Sequence, residues 1–239
     1  MKALKTLVAS TLIAVAAPSM AGVVKQTLDF ETVPVTRNNL KTEVNPYQAQ
    51  NITFSDGAFS LGSVVEYGEA SGATGNFFRE ASVYGSITKG ALAMLRAPND
   101  PISGLPSIYI NVADGFDTAF SMLYTSLANV SGTVQIFSGA NGEGQELVSG
   151  VLGPMSGVCT LEDGTPGPSG VLCNWTKLQL GFTGSAHSIK ITGANASYYF
   201  DDIALTRTSG SNVPEPASIA LSLAALGALA LSRKRKPQA

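Results

Sequence analysis

The chain is short of charge, histidine, tryptophan and cysteine: Asp, Glu, Lys and Arg together make up 13% of 239 residues, and there are one His, one Trp and two Cys. Each shortage closes off a kind of chemistry. With His187 as the sole imidazole, a two-histidine metal centre is excluded, and any Ser-His triad would have to use that one residue. It lies in Gly184-Ser185-Ala186-His187-Ser188, which holds neither a Gly-x-Ser-x-Gly nucleophile elbow nor a metalloprotease helix, so a turn histidine is expected. The formal net charge of -2 excludes a strongly basic nucleic-acid binder. What is present in quantity is small and apolar: 44% hydrophobic residues and 25 Gly, with Ala, Ser and Thr abundant. That content allows a real core in one substantial domain or two small ones, and it has the texture of a secreted β-protein.

The two ends read as addresses. Lys2 and Lys5 precede an apolar stretch from Leu7 to Ala17, and Ser19-Met20-Ala21 closes it, which is the pattern of a secretory signal peptide over residues 1–21. Cleavage is expected between Ala21 and Gly22. At the other end Val213-Pro214-Glu215-Pro216 is followed by sixteen uncharged residues, 217–232, and then by Arg233, Lys234, Arg235 and Lys236. As a helix the uncharged run covers roughly 24 Å, a marginal single span for a hydrocarbon core of ~30 Å. The basic cluster would hold the end of the chain, 233–239, in the cytoplasm. Pro214 and Pro216 keep Val213 and Glu215 out of the helical region, which leaves an extended segment open to a processing enzyme.

The Val213-Pro214-Glu215-Pro216 run, the short Ala/Leu-rich span and the basic terminus resemble the PEP-CTERM sorting signal of Gram-negative bacteria, a signature that also goes under the name of an ice-binding-protein C-terminal domain. The resemblance implies an exosortase-type enzyme that cuts near the Pro-Glu-Pro triplet. It also implies export across the inner membrane, a transient membrane anchor, and then a place at the cell surface or outside the cell, often with exopolysaccharide. It supplies no ice-binding surface. Removing both addresses from the count leaves residues 22–212 with nine basic and sixteen acidic groups, a net charge of -7. An acidic exported domain repels DNA and anionic lipid and makes a divalent cation more credible.

Between the ends, with a domain expected over 22–208 and a linker from 209, short segments alternate in hydrophobicity with period two. Ile52 to Phe54 leads through Ser55-Asp56-Gly57 to Phe59 and Leu61. Ile108, Ile110 and Val112 precede a turn expected at Asp114-Gly115, and Phe120, Met122 and Tyr124 resume the pattern. Val134 and Ile136, then Leu147 to Leu152, flank a Gly-rich turn; Leu178 to Phe182 and Ile189 to Ile191 flank another. Tyr199, Asp201, Ile203 and Leu205 are expected on one face of a closing strand, which would turn Tyr198 away from the core. Only Gly90 to Ala97 reads as a possible helical turn. About nine strands with Gly-rich turns predict an all-β, antiparallel β-sandwich, with a jelly roll preferred to an immunoglobulin-like arrangement. Segments 120–144 and 175–205, including Tyr199-Phe200-Asp201-Asp202-Ile203, resemble the galactose-binding-like and carbohydrate-binding-module jelly rolls.

Candidate chemistry is sparse. Cys159 and Cys173 bracket a Gly/Pro-rich loop in an exported chain, so a disulfide is expected. Asp201-Asp202 opens the last strand; a carboxylate entering a core needs a partner, and Ca²⁺ is one. In the jelly rolls this chain resembles, a structural calcium ties the last strand to the first, where this chain offers Asp29 and Glu31. Both Asp201 and Asp202 could serve one ion only if the strand is bulged, and backbone donors or Arg79, Arg96 or Arg207 are the alternative partners. Trp175, Tyr198, Tyr67, Tyr84 and Phe77-Phe78 are available for stacking on sugar, although Trp175 is expected mainly in packing. Glu66, Glu69, Glu80, Glu143 and Glu146 are carboxylates from which a glycosidase pair would have to come, and nothing nominates two of them. The reading is a non-enzymatic surface or extracellular-matrix protein that touches polysaccharide or surface partners and binds no nucleic acid. A glycan hydrolase or lyase with paired carboxylates is the alternative.

Overall fold

A computed structural model describes residues 22–32, 37–64, 76–77, 89–95, 105–127, 129–159, 164–165, 171–194 and 197–208. The chain divides into two units, and the larger, Val23–Thr208, holds the strands. They are β1 (Val23–Leu28), β2 (Asn38–Asn39), β3 (Ile52–Phe54), β4 (Ala58–Gly62), β5 (Asn76–Phe77), β6 (Gly90–Met94) and β7 (Ser107–Phe116). After them come β8 (Ala119–Ser126), β9 (Gly132–Phe137), β10 (Glu146–Leu152), β11 (Val171–Leu172), β12 (Thr176–Gly181), β13 (Ala186–Thr192) and β14 (Tyr198–Thr208).

One sheet runs β12-β8-β14-β6-β4-β2, with β1 also paired to β14; a second runs β10-β9-β13-β7-β3; β11 and β5 form a small parallel pair. The two large sheets are antiparallel and share a single core, so the fold is an antiparallel β-sandwich, as the alternation predicts. In β7, Ile108, Ile110 and Val112 are buried while Tyr109 and Asn111 face outward. Ile189 and Ile191 of β13 and Val134 and Ile136 of β9 meet them from adjacent strands, and Phe120, Leu92 and Phe200 close the core from the other sheet. Each such side chain contributes about 1.5–3 kcal/mol by leaving water.

A second apolar cluster lies on the outer face of the seven-stranded sheet, where Phe77 and Leu172 of the small parallel pair cover Leu61, Ala91 and Ala93. Trp175 and Tyr199 pack against it, with the Phe77 and Tyr199 rings 5.4 Å apart. Trp175 is therefore a packing residue.

Three sequence expectations are corrected. Residues 90–94 form β6, because five consecutive buried residues between β4 and β14 satisfy their backbone in ladders on both sides, leaving no helical turn there. Asp114-Gly115 lies inside β7, and the reversal comes at Asp117-Thr118, where Thr118 takes the left-handed conformation at φ 67°. The third correction concerns parity in β14. Its register slips between Asp201 and Ala204, and Asp202 is left-handed at φ 48°. That bulge keeps Ile203 and Leu205 in the core but rephases everything before it: Tyr198 and Phe200 turn inward, and Tyr199 turns outward. Tyr198 is completely buried, donates its hydroxyl to the Val130 carbonyl, and is unavailable for stacking on a sugar.

Candidate functional site

A groove of about 810 Å³ lies at one end of the five-stranded sheet. Its wall is set by parity: β7 sends Asn111 outward, β3 sends Thr53 outward directly opposite, and His187 comes from β13. The turn after β9 supplies Ser138 and Asn141. Asn111 donates its amide to Asn141 Oδ1 at 2.8 Å and accepts the Asn141 backbone N–H at 2.7 Å, so each residue fixes the other. Asn141 holds the left-handed conformation at φ 54°, and the N–H of Gly142 donates to Ser188 Oγ at 3.0 Å. The turn is thus tied to the sheet by side chains, and the amides are oriented before any ligand arrives. His187 Nδ1 lies 3.3 Å from the Val112 carbonyl oxygen and its Nε2 3.4 Å from Ser185 Oγ.

Among the described residues the lining contains amides, hydroxyls, backbone and one imidazole, and no carboxylate, ammonium or guanidinium group. Glu143 and Glu146 stand exposed on the neighbouring turn and strand, and Glu146 accepts from Gln135 Nε2. They do not enter the groove as a facing pair. Glu66, Glu69 and Glu80, with Tyr67, Phe78 and Tyr84, lie outside the described residues.

A second groove, about 540 Å³, borders the first and is formed by β1, the 48–50 turn, Asp114 and Arg207. Asn51 and Asp114 stand on the boundary between the two: the Asn51 amide donates to both Asp114 oxygens, at 3.1 and 3.2 Å, and Arg207 lies 3.7 Å from Asp114.

The carboxylates singled out for calcium meet where first and last strands pair. Leu28 stands opposite Ile203, which brings Asp29 and Glu31 to the end of β1 beside the Asp201-Asp202 bulge. Asp29 accepts the Glu31 N–H at 3.3 Å, and the hydroxyl of buried Tyr47 accepts the Phe30 N–H at 2.6 Å. Glu31 accepts the Lys89 N–H at 3.0 Å, and fully buried Asp201 accepts the Asp202 N–H at 2.7 Å. Burial, with the negative charges of Asp29 and Asp201 nearby, pushes the Tyr47 phenol far above its ordinary range. Among the described residues no three His, Cys, Asp or Glu side chains gather at metal-ligand spacing, so an ion here would have to draw on main-chain oxygens. The bulge that shared ligation requires is present, but the four carboxylates do not converge.

Cys159 and Cys173 form a disulfide, with Cα atoms 4.9 Å apart. Among the described residues no helix is long and apolar enough to cross a membrane. Gly22 is the first described residue, whereas Ala21, Val213 to Pro216, the 217–232 run and Arg233 to Lys236 lie outside the described residues. A family comparison covers that end, matching residues 212–236 to the PEP-CTERM protein-sorting motif. This chain carries a PEP-CTERM sorting motif. The motif begins four residues beyond Thr208, the last residue of β14, and marks an exported protein.

No curated protein matches the chain. The structure resembles two cleaved adhesin domains of Lys-gingipain, at 13% identity and TM-score 0.43 over 76% of this chain and 99% of that one, and, for the domain from Porphyromonas gingivalis, at 10% identity and 0.42 over 78% and 99%. A family 29 carbohydrate-binding module aligns at 8% identity and TM-score 0.38 over 80% of this chain and 99% of that one.

Proposed function

We propose that this is an exported, non-catalytic binding protein of the bacterial envelope, whose sandwich holds uncharged polysaccharide in the groove beside Asn111 and Asn141. The leader 1–21 is removed after Ala21, the 217–232 span anchors the precursor in the inner membrane, and Arg233 to Lys236 keep its end inside. An exosortase-type enzyme then cuts near Pro214-Glu215-Pro216, leaving the sandwich at the surface or outside the cell. The carrying observation is the groove itself, whose amides are pre-oriented and whose described lining holds no carboxylate, ammonium or guanidinium group. Amides and hydroxyls both donate and accept, which suits the hydroxyls of a sugar. A glycosidase needs two carboxylates about 5–10 Å apart across the scissile bond, and the described lining supplies none.

The test is a glycan array with the full-length chain in a sugar-free detergent, beside Asn111→Ala and Asn141→Ala. Retention of neutral glycans that both variants lose supports the proposal. Retention unaffected by either variant places binding elsewhere, and release of reducing ends from any bound glycan restores the hydrolase alternative.

A further inference from the structure

Two described grooves share one wall. The 48–51 segment sends Gln48 and Asn51 to the first and Ala49 and Gln50 to the second, while Ala113 and Asp114, adjacent in β7, divide in the same way. Asn51 makes the wall a saddle. It is left-handed at φ 58°, its carbonyl accepts the Ala113 N–H at 3.0 Å, and its amide grips Asp114. On the far side Gln26 Nε2 donates to Gln50 Oε1 at 2.6 Å, so the second groove also carries a pair of fixed amides, beside the charged Lys25, Asp114 and Arg207.

We infer that the two grooves are one trough that takes an internal stretch of an uncharged, hydroxyl-rich polymer lying across the Asn51–Asp114 saddle. This rests on the reading of the first groove as a polysaccharide site and adds ligand length and continuity to it. Volumes of about 810 and 540 Å³ together exceed what one or two sugar rings fill. At the saddle Asp114 offers carboxylate oxygens and Arg207 donors to sugar hydroxyls, and their opposite charges offset one another. Exposed Lys25 adds one further cation to the second groove, but the sixteen acidic against nine basic residues of 22–212 repel a polyanion at long range, which favours a neutral polymer.

The experiment is titration calorimetry of the full-length chain, in a sugar-free detergent, with cello-, manno- and galacto-oligosaccharides as disaccharide and octasaccharide. Thr27→Trp and, separately, Gln50→Trp fill the second groove from exposed positions, and far-UV circular dichroism checks that each variant folds. For the series that binds, the octasaccharide is held at least about tenfold more tightly than the disaccharide, with little dependence on salt. In both variants the octasaccharide falls to about the disaccharide value, and disaccharide binding is unchanged. Equal affinity for both lengths in the unaltered chain overturns the trough while leaving the first groove as a binding site. A folded variant that keeps the length gain overturns it too. No binding of any series overturns the trough together with the reading beneath it.

Discussion

Single residues at the β1–β14 junction carry more of the fold's stability than their number suggests. Tyr47 is buried, accepts the N–H of left-handed Phe30 and lies near the negative charges of Asp29 and Asp201. Replacing it by Phe leaves a buried N–H without its acceptor, at a cost of about 1–3 kcal/mol, to be read from denaturant midpoints. The same residue sets an alkaline limit. Its folded pKa lies above the unfolded value near 10, as do those of Tyr198 and Tyr199, chiefly through burial. The folded state therefore keeps protons that the unfolded state loses, so stability is complete below about pH 10 and declines as pH rises beyond it. A denaturant series from neutral pH upward should show that decline, and Tyr47→Phe should flatten it; a slope equal to the unaltered chain's would remove Tyr47 from the account. Gly57 is a second sensitive point: it holds φ +87°, and a Cβ there would strike the Leu95 carbonyl oxygen. Gly57→Ala should cost upward of about 1 kcal/mol by the same measurement. Gly57 is legible in the sequence as the close of the Ser55-Asp56-Gly57 turn between β3 and β4, but its approach to Leu95, like the meeting of Tyr47 with Phe30, arises only as the chain assembles.

Elements were legible wherever alternation was strict, and illegible where a bulge reset it. β7, β9 and β13 can be drawn from Ile108-Ile110-Val112, Val134-Ile136 and Ile189-Ile191, since one face of each enters the core. β14 cannot: one left-handed residue, Asp202, reverses the parity of Tyr198 to Phe200, and no residue type at that position announces it. The candidate groove was legible only in part. Asn111 and His187 lie in strands that alternation locates, but the pairing of Asn111 with Asn141, and of Asn51 with Asp114, joins segments 30 and 63 residues apart. The disulfide was legible because two cysteines in an exported chain have only each other. It closes a loop of about 15 residues and anchors β11, whose Leu172 covers the outer apolar cluster. Reduction should lower stability by roughly 3 kcal/mol on the chain-entropy account and expose apolar surface to a hydrophobic dye. Both thiols labelling without reductant in protein taken from the periplasm would end that account. Calcium belongs to this scale as well. Asp29, Glu31 and Asp201 already accept hydrogen bonds, so adding Ca²⁺ and then EGTA should leave the melting midpoint nearly unmoved. A reversible rise would establish an ion held with the help of main-chain oxygens.

For the whole molecule the decisive feature is that its sparse charge is unevenly distributed. A net of -2 over 239 residues divides into -7 over residues 22–212 and two end segments whose basic groups flank apolar runs. The strand order has a bearing on how these parts separate. The first described strand, β1, pairs along the last described strand before the sorting motif, with Val23 opposite Thr208, and β14 in turn is flanked by β8 on its other side. Both ends of the sandwich are thus secured by ladder hydrogen bonds inside the Val23–Thr208 unit, which contains all the described strands. Residues 22–208 alone should therefore fold cooperatively, with a single melting transition and the intact disulfide. Truncation at residue 202 tests the reason: it removes Ile203 and Leu205 from the core and every β14 partner of β1, so it should abolish the transition. If residues 22–208 gave a non-cooperative, dye-binding state while the full-length chain melted sharply, the end segments would be part of the fold, and cleavage at Pro214-Glu215-Pro216 would unfold the protein it releases.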